Sequence, residues 1–215
     1  MTASLDRWRS ATQPPQAVAF FRGLFERAGV RVTNTGEAFT CMHRGDRIDF
    51  EDGLDDDRVD FTVEIDSADV DALLADVADG QLDEREQYRI MAHLAAPAAR
   101  GAFRRPAIRN RFLRELLFKI GRAEMLMHVR LMPPPGEAEV PGYTVTYVDG
   151  QTLVIPGFHG RVKHQYRLTV EQATEFQRRL LAARRANRLR DWIGFARWYG
   201  KLRRQVVAPA TGGTG

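Results

Sequence analysis

Residues 39–77 alternate in hydropathy and then change period, and that order limits the fold more than any other feature of the chain. Ile48 and Phe50 point to one face of a short strand. After a loop at Gly53, the run Val59, Phe61, Val63 and Ile65 predicts a half-buried strand. Asp66 or Ser67 then caps a helix whose apolar face is Val70, Leu73, Leu74 and Val77. Two strands, a third strand and an amphipathic helix therefore follow in sequence.

Residues 143–180 repeat the order. Asp149-Gly150 is a hairpin signal, because both positions suit positive φ. Leu153 and Ile155 take the places of Ile48 and Phe50, and Gly157 that of Gly53. Val162, His164, Tyr166 and Leu168 alternate. Thr169 caps a helix, with Gln172 placed to complete a capping box. Ala173, Phe176 and Leu180 fall where Val70, Leu73 and Val77 fell. Two explanations stand at this point. One is a structural repeat carried by element type and period; the other is chance recurrence of a common strand-strand-helix motif. The expected class is α+β: a curved, mostly antiparallel sheet covered by helices, arranged as two related β-β-β-α units, with a C-terminal helical region.

The rest of the chain divides around these units. Residues 1–15 read as a flexible arm ending at Pro14-Pro15. Gln16–Gly29 predicts a helix capped by Gly29. Leu82–Leu94 predicts a helical or mixed segment ended by Pro97, and residues 98–111 an irregular basic stretch. Phe112–Ile120 predicts a short helix and Met125–Leu131 a strand. Residues 133–142, rich in Pro and Gly, are a linker between units or a long loop inside one sheet. Residues 16–132 and 143–207 are thus the expected units, and 208–215 a disordered tail.

Bulk properties exclude several classes. No apolar run approaches the ~20 residues of a membrane span. Met1–Ser10 lacks the hydrophobic stretch of a secretory signal. Cys41 is the only cysteine, so no internal disulfide forms, and a cytoplasmic location is expected. Charge is polarised. Acids dominate Asp46–Glu86, whereas Arg178–Arg204 holds ten Lys and Arg against Asp191 alone. The basic end will be drawn to anionic surfaces.

No catalytic signature stands out, and a non-enzyme needing no cofactor or metal is expected. The only serines are Ser4, Ser10 and Ser67; the first two sit in the arm and the third caps a helix. Cys41 lies in a strand, as a small buried hydrophobe does. His43, His93, His128, His159 and His164 show no metal-ligand spacing. A scattered His and Asp pair, such as His43 with Asp46, is what would suggest an enzyme. Asp55-Asp56-Asp57 reads as a solvated loop.

The first unit resembles the sterol carrier protein 2 family of lipid-binding domains. Three stretches within residues 17–94 carry the resemblance. They are the amphipathic Phe20-Phe21-Arg22-Gly23-Leu24-Phe25, the strand region Arg44–Phe50, and the strand-to-helix segment Val59–Leu74. The second β unit has no counterpart in the simple domain. The resemblance implies an apolar cavity between sheet and helices that holds a sterol or fatty acyl chain. Phe21, Leu24, Phe25, Ile48, Phe50, Phe61, Val63, Leu73 and Leu74 would face it. Apolar periodicity alone cannot distinguish a cavity from a solid core, and for any single residue a solid core is the plainer outcome.

Trp192, Phe195, Tyr199 and Leu202 recur at helical spacing, and Trp198 widens the band. Arg184, Arg185, Arg188 and Lys201 flank it. Aromatic rings beside cations suit contact with an anionic membrane, whereas packing of the same face on the sheet is the plainer outcome. Arg-rich helices also suit nucleic acid, but no reader motif accompanies them. The expected function is lipid binding and transfer of the sterol carrier type, by a peripheral membrane protein. The alternative is a non-enzymatic interaction or scaffold protein with a solid core and a charge-polarised surface.

Overall fold

The computed structural model describes residues 3–209, except 57, 79–81, 101, 104–125, 149–150 and 163. The described residues form an α+β protein with two sheets. Helices α1 (Ala3–Thr12) and α2 (Pro15–Phe21) precede strands β1 (Arg27–Val32), β2 (Ala38–His43), β3 (Ile48–Asp52) and β4 (Phe61–Ile65). Helices α3 (Ser67–Ala78) and α4 (Glu84–Arg100) follow. Then come β5 (Ala102–Phe103), β6 (Leu126–Leu131), β7 (Tyr143–Val148), β8 (Gln151–Pro156) and β9 (His164–Leu168). The described part ends with α5 (Val170–Ala186), α6 (Leu189–Val206) and β10 (Val207–Pro209). The helix expected at Phe112–Ile120, most of the basic stretch before it and residues 210–215 of the tail lie outside the described residues.

The two sheets share one plan. One runs β3-β2-β1-β4, and the other contains β8-β7-β6-β9 with β5 and β10 added at its edges. In each, the first and fourth strands of the unit are parallel and the other pairs antiparallel. The registers coincide. Val30 lies between Phe39 and Val63; Val129 lies between Tyr143 and Tyr166. Cys41 pairs with Phe50 as Val145 pairs with Val154.

Hydrogen bonds outside the ladders repeat too. The Thr40 hydroxyl donates to the Gly53 carbonyl at 3.0 Å, and the Thr144 hydroxyl to that of Gly157 at 2.7 Å. Gly53 and Gly157 both turn through positive φ, +85° and +82°, which only glycine adopts without strain. Their N–H groups donate to Ala38 and Gly142 at 2.9 and 2.8 Å. Thr33 N–H donates to Ile65 at 2.9 Å, and Met132 N–H to Leu168 at 2.8 Å. Chance recurrence of a common motif would not reproduce register and turn chemistry together. The chain holds a β-β-β-β-α unit twice, one strand longer than the sequence pattern suggested.

The extra strand corrects several expectations. The first helix ends at Phe21, and Gly29 sits inside β1 rather than at a helix cap. A Cβ at Gly29 would lie 2.4 Å from the Leu54 side chain, so close packing explains that glycine. The sequence match of Phe50 to Ile155 is one residue out of step. Register aligns Phe50 with Val154, and Ile155 is 36 % exposed. A slip of one residue turns a side chain to the opposite face. Residues 1–15, expected as a flexible arm, hold α1, whose Leu5, Trp8 and Ala11 are buried against the first sheet and α3. Helix α4 continues through Pro97 to Arg100.

Residues 133–142 are the β6–β7 loop, not a boundary, because β6 pairs with β7 and β9 of the second sheet. The Tyr88 hydroxyl pins this loop to α4. It donates to the Ala138 carbonyl at 3.0 Å and accepts from Val140 N–H at 3.1 Å. Helix α4 and β5 thus carry the first unit onto the second. Helix α5 makes the return crossing. Gln177 donates to the Leu24 carbonyl, and Arg178 to those of Phe20 and Arg22, at 3.0–3.1 Å. The capping box expected for α5 is present: Thr169 and Gln172 exchange bonds of 3.0 and 3.2 Å. In the first unit α3 begins at Ser67, which leaves Asp66 at the N-cap position.

Candidate ligand-binding site

An apolar cavity of about 470 Å³ lies between the two sheets. Equivalent positions of the two units face it. Val30 and Val129 come from the first strand of each unit. Cys41 and Val145 come from the second, and Val63 with Tyr166 and Ile65 with Leu168 from the fourth. Trp8 of α1, Phe21 at the end of α2, and Met91 of α4 close one part of the wall. Phe176 of α5 and Tyr199, Leu202 and Val206 of α6 close another. The units meet across the void instead of interlocking. Met127, Val129, Val145 and Leu168 line it and stay only half-buried.

Among the described residues no charged side chain lines the cavity. Its polar groups are few. Thr12 donates to the Trp8 carbonyl at 2.8 Å, and Gln177 is held on Leu24. Burial raises the pKa of the Tyr143 phenol, with nearby Tyr88 adding to the shift. Burial also raises the Cys41 thiol well above its ordinary range, so it is no nucleophile.

That thiol has a measurable consequence. The unfolded chain releases its proton above about pH 8.5, while folded Cys41 keeps it. The contribution to stability is therefore complete below about pH 8.5 and is lost as pH rises, by at most about 1.4 kcal/mol per pH unit. Cys41→Val installs the residue type found at Val145. In urea unfolding between about pH 8 and 10, it is expected to remove that part of the slope. Equal slopes in the two proteins would refute a buried thiol.

Of the nine residues expected around a ligand, Phe21, Leu24, Phe25, Ile48, Phe50, Phe61 and Val63 line the cavity. Leu73 and Leu74 do not; they are 0 % and 5 % exposed and fill the solid part of the first core. The sequence reading missed the second-sheet wall entirely. Its signal was available in the repeat, since Tyr166 and Leu168 are the counterparts of Val63 and Ile65.

The C-terminal residues expected at a membrane mostly face inward. Trp192 is buried against Leu180 and Ala183. Phe176 stands 5.7 Å from Phe195, 6.5 Å from Trp198 and 5.9 Å from Tyr199, ring centre to centre. Arg184 donates to the Asp60 carbonyl, and burial lowers its pKa against the pull of Asp60. Arg185 pairs with Glu26 at 3.0 Å and Asp60 at 3.6 Å. Both arginines therefore join the two units. Arg188 and Lys201 remain exposed. This helix face packs inward because its aromatic band finds α5 and the second sheet, where apolar burial is largest.

The other candidates are structural. The His43 ring is bonded to the Val18 carbonyl at 3.0 Å, and Asp46 lies on an exposed turn. His159 bonds the Pro156 carbonyl of its own loop at 2.6 Å. Asp56 holds Arg31 and accepts from Thr62, and Asp55 pairs with Arg58. Among the described residues no three His, Cys, Asp or Glu side chains group as metal ligands, and no helix is long and apolar enough to cross a membrane. No family model, curated protein or solved structure matches the chain.

Proposed function

We propose that the protein binds and carries a lipid-like apolar ligand, a sterol or a fatty acyl chain, between its two sheets. One observation carries this reading: a cavity of about 470 Å³ whose described lining has no charged side chain. A volume of roughly 300–1,000 Å³ is usual for small-molecule sites, and an interior left empty forfeits the contacts that ordinary cores make. Each methylene a ligand buries there contributes about 0.8 kcal/mol, so binding needs no reaction. The resemblance of residues 17–94 to the sterol carrier protein 2 family points the same way.

Exchange with an anionic membrane in the cytoplasm would use the first turns of α6. Leu189 and Ile193 are 54 % and 43 % exposed there, next to exposed Arg188, Arg190 and Arg197. Apolar side chains flanked by cations suit a headgroup interface. Native mass spectrometry of the protein purified from cells, with organic extraction of the same sample, tests the proposed function. The expected result is a bound mass of lipid size that extraction releases. A ligand-free spectrum together with an empty extract would count against it.

A further inference from the structure

Helix α6 walls the cavity with Tyr199, Leu202 and Val206, yet it is anchored only near its ends. Trp192 is buried against Leu180 and Ala183 of α5. Leu202 and Val206 pack with Tyr166, and β10 then pairs with β9. Between these anchors no residue from Ile193 to Lys201 is buried. Local opening begins where few apolar side chains are buried.

A glycine stands at each end of this loosely packed span. Gly194 and Gly200 lie inside α6, where glycine is less favourable than any residue but proline. No described atom lies within 4 Å of a Cβ built at either position, so close packing does not call for glycine there. Gly29 and Gly142 differ in this respect, for they sit under Leu54 and Phe158. None of α1 to α5 contains a glycine. The span is held on its inner side by rings. Phe195, Trp198 and Tyr199 lean on Phe176 of α5, and Arg179 stands over the Trp198 ring at 4.9 Å. Its outer side, at Ala196 and Arg197, is exposed. Of its residues Tyr199 lines the cavity, so an outward bend of the span removes a piece of the wall.

We infer that residues 194–200 of α6 are the gate of the cavity. They bend outward at the two glycines, let the ligand pass beside Tyr199, and close over it. The exposed Leu189 and Ile193 lie on the same helix, just before the first glycine, so the gate adjoins the surface that would meet a membrane. This rests on the cavity taking an apolar ligand at all.

Gly194→Ala and Gly200→Ala together favour the closed helix and leave the cavity unfilled, since both added methyl groups meet open space. The delipidated full chain is mixed with a neutral fluorescent acyl probe in a stopped-flow instrument. The alanine pair is expected to slow association and dissociation alike, by at least about tenfold, with affinity unchanged to within about twofold. A gate alters the barrier and not the two end states. Ala196→Gly, on the exposed side of the span, is expected to do the reverse and speed both rates by about fourfold.

A second readout needs neither variant nor ligand. In native-state hydrogen exchange the amides of residues 195–199 are expected to be at least about tenfold less protected than those of Leu180 and Leu181 in α5. Equal protection, probe rates that the alanine pair leaves unchanged, or an alanine effect on affinity instead of rates would each overturn the gate while leaving the carrier reading in place. A probe that never binds would overturn the carrier reading and the gate together, which is a distinct outcome.

Discussion

Val129→Phe is expected to lower uptake of a neutral acyl probe by at least about tenfold while leaving the protein no less stable, to within about 1 kcal/mol. Val129 sits mid-strand in β6, between Tyr143 and Tyr166, and faces the cavity half-buried. In a filled interior the added ring would force neighbours off their rotamers, which costs roughly 1–3 kcal/mol. In a hollow interior it occupies space that the ligand would have taken. Urea unfolding and probe titration on the same preparation separate these cases. A variant that loses stability and keeps uptake would mean that the cavity is not where the probe sits.

The opposite behaviour is expected of Leu73→Ala. Leu73 is fully buried within α3, in the solid part of the first core. Its removal is expected to destabilise the protein by about 2–5 kcal/mol, with uptake per folded molecule unchanged. Phe176 is the counterpart of Leu73 in the second unit, because α3 and α5 start at equivalent positions. It lines the cavity half-buried. Phe176→Ala is expected to cost less than the ~3–5 kcal/mol of a fully packed phenylalanine and to change uptake. One helix face thus plays two parts in the two copies: it closes a core in the first and walls a void in the second. Should Leu73→Ala abolish uptake in protein that is still folded, the solid and hollow regions have been assigned the wrong way round.

Local signals in the sequence were sufficient where they were unambiguous. The switch from a period of two to 3.6 located β4 with α3 and β9 with α5. Thr169 and Gln172 announced their capping box, and Met125–Leu131 announced β6. Strand β1 was missed because two glycines compete to end the preceding helix. Gly23 adopts φ of +76° just past the end of α2, while Gly29 is in a strand under Leu54; composition cannot choose between them. Helix α1 was missed because only Leu5, Trp8 and Ala11 of its residues are buried apolar anchors, too few to stand out in a short polar segment.

The site was half legible for a deeper reason. Periodicity says that a side chain points inward, and seven of the nine residues expected at a ligand do face the cavity. It does not say whether another side chain meets them there. Leu73 and Leu74 point inward like Val63, but only Val63 meets empty space. Which inward face closes depends on how the two units dock through α4, α5 and the Asp60–Arg185 pair. Those contacts join residues from 50 positions apart, Tyr88 with Ala138, to 158 apart, Phe20 with Arg178, beyond the reach of any window along the chain.

Equilibrium titration of the delipidated full chain with a neutral fluorescent acyl probe tests the hollow interior most directly. Saturable uptake of one probe per chain, with emission shifted to the blue of its position in water, is the expected result. A probe that stays in water at every protein concentration, or partitions without saturation, would contradict a ligand-holding space between the sheets.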